Sequence, residues 1–213
     1  MRLDEEYCLS EYVDLGRLGD NEKLHIVRNQ VNGVIGVRKY VALDLEEIYL
    51  FLKENPNAYI PKIYECIQTD TNLIVIEEYL SGKNLEEMLK EKYFSEKDAA
   101  DIIICLCNAL YPLHHAKMPV ICRDLKAENV ILTNEGEVKL VDFDIARIYQ
   151  PGKSKDTVMM GTQGYAAPEQ FGFGQTDART DIYAMGVLLN YMLVREFPME
   201  KLTEGKFRTI VLK

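Results

Sequence analysis

Three short runs gather the side chains best equipped to bind charge or move a proton. Cys122-Arg123-Asp124-Leu125-Lys126-Ala127-Glu128-Asn129 brings a carboxylate, an ammonium and an amide close together. Leu140-Val141-Asp142-Phe143-Asp144 adds two more carboxylates, and Gly161-Thr162-Gln163-Gly164-Tyr165-Ala166-Ala167-Pro168-Glu169 follows. A lone Asp, Lys or Asn is by default a solvated surface residue; the three runs occurring in this order are not explained that way. Together such groups could accept a proton from a hydroxyl and neutralise an anionic ligand.

The elements that must position these residues change character along the chain. Segments 11–18, 23–28 and 34–41 are rich in β-branched and aromatic residues, with turn signals at Gly19-Asp20-Asn21 and Asn32-Gly33, and are predicted as an antiparallel meander. Residues 44–54 place Leu45, Ile48, Tyr49 and Leu52 at helical spacing behind Asp44 as N-cap, and strands resume at 63–67 and 73–76. Beyond Ser81-Gly82 helices are expected at 84–90 and at 95–115, the latter opening on a capping-box spacing at Ser95 and carrying Pro112 near its end. Short strands at 130–132 and 138–141 flank a turn at Asn134-Glu135-Gly136, and a last helix is predicted over 181–194. The fold class is therefore α+β, with a small antiparallel β lobe containing one helix over 1–80 and a mainly helical lobe over 81–213.

The quoted runs resemble those of the eukaryotic-like Ser/Thr protein kinase family, and more loosely its bacterial branch, from about Tyr12 onward. The resemblance implies a bilobal fold that uses ATP with Mg²⁺, or Mn²⁺, and phosphorylates Ser/Thr of protein substrates. It implies Asp124 as the base for the substrate hydroxyl, Lys126 at the γ-phosphate, and Asn129 and Asp142 as metal ligands. Lys39, in Val37-Arg38-Lys39, takes the place of the lysine on the α- and β-phosphates, with Glu47 as its helical partner and Glu46 second. Arg38 should face the other side of the strand. Gly16 and Gly19 fall in the phosphate-covering loop. Glu78 and Leu80 would offer backbone groups to adenine, and Glu77 would stand at the position behind it, where a buried carboxylate needs a partner. Thr162 would contact Asp124 and Lys126, Asp181 would brace the catalytic loop, and Thr157, with Ser154 second, is the expected autophosphorylation site.

The chain departs from the family's pattern in four places. The loop Leu15-Gly16-Arg17-Leu18-Gly19-Asp20-Asn21-Glu22-Lys23 keeps only two glycines and sets carboxylates where phosphate should lie. Cys122 replaces a histidine, Asp144 replaces a glycine, and the chain stops at Lys213 soon after the last predicted helix. The second lobe is thus expected to be incomplete at its C-terminus, to lack an arginine for Glu169, and to expose apolar surface that favours dimerisation. A pseudokinase serving as a binding or scaffold module is the alternative function. A small-molecule kinase shares the Asp-Asn-Asp logic but would lack the run from Gly161 to Glu169.

Composition narrows the class. A formal charge of −9 with no basic block argues against nucleic-acid or anionic-membrane partners. Five cysteines without a CxxC pair predict neither a disulfide frame nor a zinc site, and cytoplasmic, reduced thiols are expected. No apolar run reaches the roughly 20 residues of a membrane span.

Overall fold

The computed structural model describes residues 3–19, 22–152, 160–172, 174–198 and 203–211, without the side chains of residues 3–5 and 206. The chain divides into two compact units, Met1–Ser81 and Gly82–Lys213.

The first unit is a five-stranded antiparallel sheet in the order β1-β2-β3-β5-β4. Its strands are β1 (Tyr12–Arg17), β2 (His25–Asn29), β3 (Ile35–Val41), β4 (Ile63–Gln68) and β5 (Leu73–Glu78). A helix that the sequence did not announce, α1 (Leu3–Ser10), precedes it; its residues give no apolar stripe from which to read a helix. The predicted helix after β3 starts later than expected. Leu43–Leu45 is a 3₁₀ turn and α2 runs Glu46–Glu54, so Asp44 sits in the first turn of the entry and no side chain caps it. Helix α2 buries Ile48, Tyr49 and Leu52 against β4, and Val27, Leu73, Val75 and Ile76 complete a core with no solvent exposure.

The second unit contains α3 (Leu85–Glu91), α4 (Glu96–His114), α5 (Ala178–Val194) and α6 (Gly205–Val211). The capping box predicted at Ser95 is present, and Asn84, expected as the first helical residue, instead caps its helix and closes a second one. Helix α5 begins three residues before Asp181, its true cap being Asp177. Two small sheets were only partly foreseen: β6 (Gly82–Asn84), β8 (Val130–Thr133) and β9 (Val138–Leu140) form one, and β7 (Val120–Ile121) with β10 (Arg147–Ile148) the other. Leu106 and Leu110 of α4, Leu188 and Met192 of α5, and Ile121, Leu125 and Leu140 are fully buried. Asn190, also buried, accepts from the Thr203 N–H at 2.7 Å and donates to the Glu196 carbonyl at 2.8 Å, which fixes the segment leading to α6. The expected apolar exposure is present: Ile182 and Tyr183 of α5 and Ile210 of α6 face solvent around a groove of about 780 Å³.

Candidate active site

In the second unit the loop between β7 and β8 carries Asp124, Lys126 and Asn129, and their side chains meet. Asp124 Oδ2 lies 2.8 Å from Lys126 Nζ, and Asn129 Nδ2 donates to the same oxygen at 3.0 Å and to the Asp124 carbonyl at 2.9 Å. Thr162 brings a hydroxyl from a segment distant in sequence, donating to Asp124 Oδ1 at 2.6 Å, while Lys126 Nζ donates to Thr162 Oγ1 at 3.1 Å. The predicted contact of Thr162 with Asp124 and Lys126 is thus present. Asn129 thus spends its Nδ2 on Asp124, which leaves its Oδ1 as the acceptor end of the amide.

The loop is held from beneath. Asp181, with no solvent exposure, accepts from the backbone N–H of Cys122 at 2.9 Å and of Arg123 at 2.8 Å, and His114 Nε2 lies 2.7 Å from its Oδ2. Arg123 itself has φ of 69°, a left-handed conformation that costs about 1–2 kcal/mol for a residue with a Cβ. These bonds to its own N–H and its neighbour's help hold it there. Asp142 is likewise left-handed, at φ 68°, and its Oδ1 accepts from the Asp144 N–H at 3.1 Å. Burial, and then the Asp181 carboxylate, push the Cys122 thiol well above the ordinary range, so this residue fills volume as a neutral group.

Gln170 is a residue that sequence reasoning missed. It is buried, donates through Nε2 to the carbonyls of Arg123 and Met160, both at 2.8 Å, and accepts from the Ala167 N–H at 3.0 Å. It therefore ties the catalytic loop to the segment carrying Thr162. Its only signal was its place directly after Glu169. Glu169, expected to want an arginine, accepts instead from the Thr180 hydroxyl at 2.7 Å. Gly164 and Tyr165 pack on Tyr191 and Phe197, where a Cβ on Gly164 would come within 2.9 Å of the Phe197 ring. Ser154 and Thr157 lie outside the described residues.

In the first unit the structure gives Lys39 a partner other than the expected Glu47. Lys39, 4% exposed, pairs with Glu77 Oε2 at 3.1 Å, so the carboxylate that needed a partner has one. Glu47 is exposed and Glu46 half-buried. At 100° per residue Glu47 falls opposite the stripe of Leu45, Ile48, Tyr49 and Leu52, whereas Glu46 lies at its margin. The field of Glu46 also reaches the Cys66 thiol, which burial raises to about 11 with Lys53 opposing and Glu65, Glu46 and Glu77 adding. Gly16, expected in the phosphate loop, forms a bulge within β1 at φ 123°, its N–H donating to Asp14 Oδ1 at 2.8 Å. Gly19 follows the strand at φ 60° with open space where a Cβ would sit.

Arg38 does face the other side, where its guanidinium pairs with Asp14 at 2.5 Å beside His25 at 2.8 Å. Glu22 turns to Arg17 at 3.0 Å. The Glu78 N–H is committed to the Lys62 carbonyl at 2.8 Å, while Leu80 lies just beyond the sheet.

Comparison with known proteins places this arrangement. The family model for the protein kinase domain matches residues 37–213. A probable serine/threonine-protein kinase PknB of Corynebacterium glutamicum is 38% identical over 130 residues, 59% of this chain and 20% of that protein. A probable serine/threonine-protein kinase PBL8 of Arabidopsis thaliana is 32% identical over 183 residues, 84% of this chain and 44% of that one. Human ribosomal protein S6 kinase alpha-3 is 30% identical over 195 residues, 91% of this chain and 26% of its own length. The chain thus spans less than half the length of each.

Proposed function

The chain belongs to the protein kinase domain family, and from that premise we propose that it transfers the γ-phosphoryl group of ATP to Ser/Thr hydroxyls of proteins, with Asp124 as base. The observation that carries this reading is the contact set around Asp124. Its Oδ1 already accepts a hydroxyl hydrogen bond, from Thr162 at 2.6 Å, which is the interaction a substrate hydroxyl would make. Lys126 would neutralise charge developing on the transferring group, and Lys39 would hold the α- and β-phosphates. The donors Asn129 Oδ1 and the Asp142 carboxylate are hard oxygens that fit Mg²⁺ or Mn²⁺. A bound divalent ion would offset phosphate charge, and these two side chains would hold it. Gly19, Glu78 and Leu80 are the backbone positions proposed for nucleotide. Glu78 would serve through its carbonyl, its N–H being in use. A cytoplasmic setting is part of the proposal. Among the described residues no helix is long and apolar enough to cross a membrane. Thr157, with Ser154 second, is the proposed acceptor within the chain.

The test is ATP-dependent labelling, with Mg²⁺ or Mn²⁺, of the chain and of a generic basic protein. Asp124→Asn is expected to lower transfer by about 10²–10⁴-fold, the usual worth of a positioned base, with nucleotide binding retained. A scaffold reading is favoured by the commitment of the Gly16 N–H to Asp14. Nucleotide binding by the unvaried chain with no transfer to either protein would select it.

A further inference from the structure

We propose that Glu77 is a positioning residue for Lys39, a carboxylate built into the sheet that sets the ammonium's place without relying on the exposed Glu47 of α2; this rests on the kinase reading above. The two residues stand on adjacent hydrogen-bonded strands. In the β3–β5 register Lys39 faces Val75 and Val37 faces Glu77, so Lys39 and Glu77 are diagonal neighbours on one face, within reach for long side chains. The Lys39 and Glu77 side chains are 6% and 13% exposed and 3.1 Å apart. At such burial a counter-charge stabilises an ammonium strongly, and removing Glu77 takes away one that the sheet itself supplies. Helix α2 contributes an aromatic wall: the ring of Tyr49, fully buried, lies 5.1 Å from Lys39 Nζ. The Glu77 charge belongs to β5, whose backbone is fixed by ladders to β3 and β4 on both sides.

A carboxylate on a helix can be withdrawn when the helix shifts; one on a central strand moves only with the sheet. Displacement of α2 should therefore gate Lys39 weakly in this chain. Nucleotide phosphate, for its part, must share the ammonium with Glu77.

Two measurements on the full chain test this. The first is a thermal double-mutant cycle with Lys39→Met, Glu77→Met and the double variant. Either single change is expected to lower the melting temperature by about 10 °C, and the double variant to recover at least half of the loss. The second compares steady-state transfer, with ATP varied, for Glu77→Gln, Glu77→Asp and Glu47→Gln. Glu77→Gln is expected to lose about tenfold in kcat/KM for ATP while KM for the protein substrate stays put. Glu77→Asp should regain part of that loss, and Glu47→Gln should lose less than either. Additive single losses in the thermal cycle, unaltered transfer by Glu77→Gln, or an equal loss from Glu47→Gln would overturn the proposal. Should the unvaried chain transfer no phosphate, the kinase reading has failed, and the thermal cycle still decides the pair.

Discussion

Asp181 spends both carboxylate oxygens on the backbone of the loop that presents Asp124. Asp181→Ala would leave two buried N–H groups unmet, each costing about 1–3 kcal/mol. Urea denaturation should report a loss of about 2–5 kcal/mol, with transfer falling more steeply than stability because Arg123 loses what holds its left-handed backbone. Gln170→Leu is a milder case, since it keeps the volume and strips hydrogen bonds from the Arg123 and Met160 carbonyls. A drop of about tenfold in kcat with an unchanged KM for ATP is expected, as befits a group that positions the loop rather than touches nucleotide. The residues that meet in the second unit were legible because several different chemical types recur at fixed spacing. Gln170 was not, since one glutamine in a loop has neither periodicity nor charge to mark it. The partner of Lys39 was misread: Glu47 was chosen for its place in the α2 run, although at 100° per residue the apolar stripe of Ile48, Tyr49 and Leu52 already sets it on the far side, and the carboxylate that pairs with Lys39 is Glu77. Glu77 was noticed only as a carboxylate out of place.

At the level of elements, legibility followed length and capping. Helix α4 was readable from Ser95 and from its apolar spacing, and Pro112 fell where the helix tolerates it. The strand β6 escaped because three residues, one of them glycine, show no alternation. Yet Gly82, paired with Thr133 in the antiparallel ladder, lies hard against the β8 backbone. A Cβ there would run into the Leu132 carbonyl oxygen and lie 2.7 Å from Thr133 Cα, both of them backbone that cannot swing aside. Gly82→Ala is accordingly expected to unpair β6 from β8 and to destabilise the second unit by about 1–3 kcal/mol, the usual scale of overpacking. Amide hydrogen exchange across 130–133 should rise while exchange in α4 changes little. Helix α1 was missed because it carries no readable apolar stripe, and α6 because its seven residues give only Phe207, Ile210 and Val211 to read a period from.

The molecule as a whole keeps several ionisable groups neutral by burial, and this sets its response to alkali. Burial raises Cys122 well above the ordinary thiol range, Cys66 to about 11, and Tyr165 above the usual phenol range. A raised folded value means that the unfolded chain gives up its proton first. Stability is then complete below the unfolded thiol value near pH 8.5 and declines as pH climbs from there through the folded values, by at most about 1.4 kcal/mol per pH unit for each group. Denaturation measured between pH 7 and pH 10.5 should show that decline, and Cys122→Ala should make it shallower whatever the substitution costs at neutral pH. The family and the two-part α+β organisation were legible from the order of motifs; which backbone atoms those motifs strain was not. Asp142 illustrates what that strain implies for any search through variants. Its left-handed backbone would relax with glycine in its place, so a library ranked solely on survival of heating should enrich Asp142→Gly. Heat selection would thereby discard a carboxylate proposed to hold the divalent ion, leaving survivors that are hardier proteins and emptier catalysts.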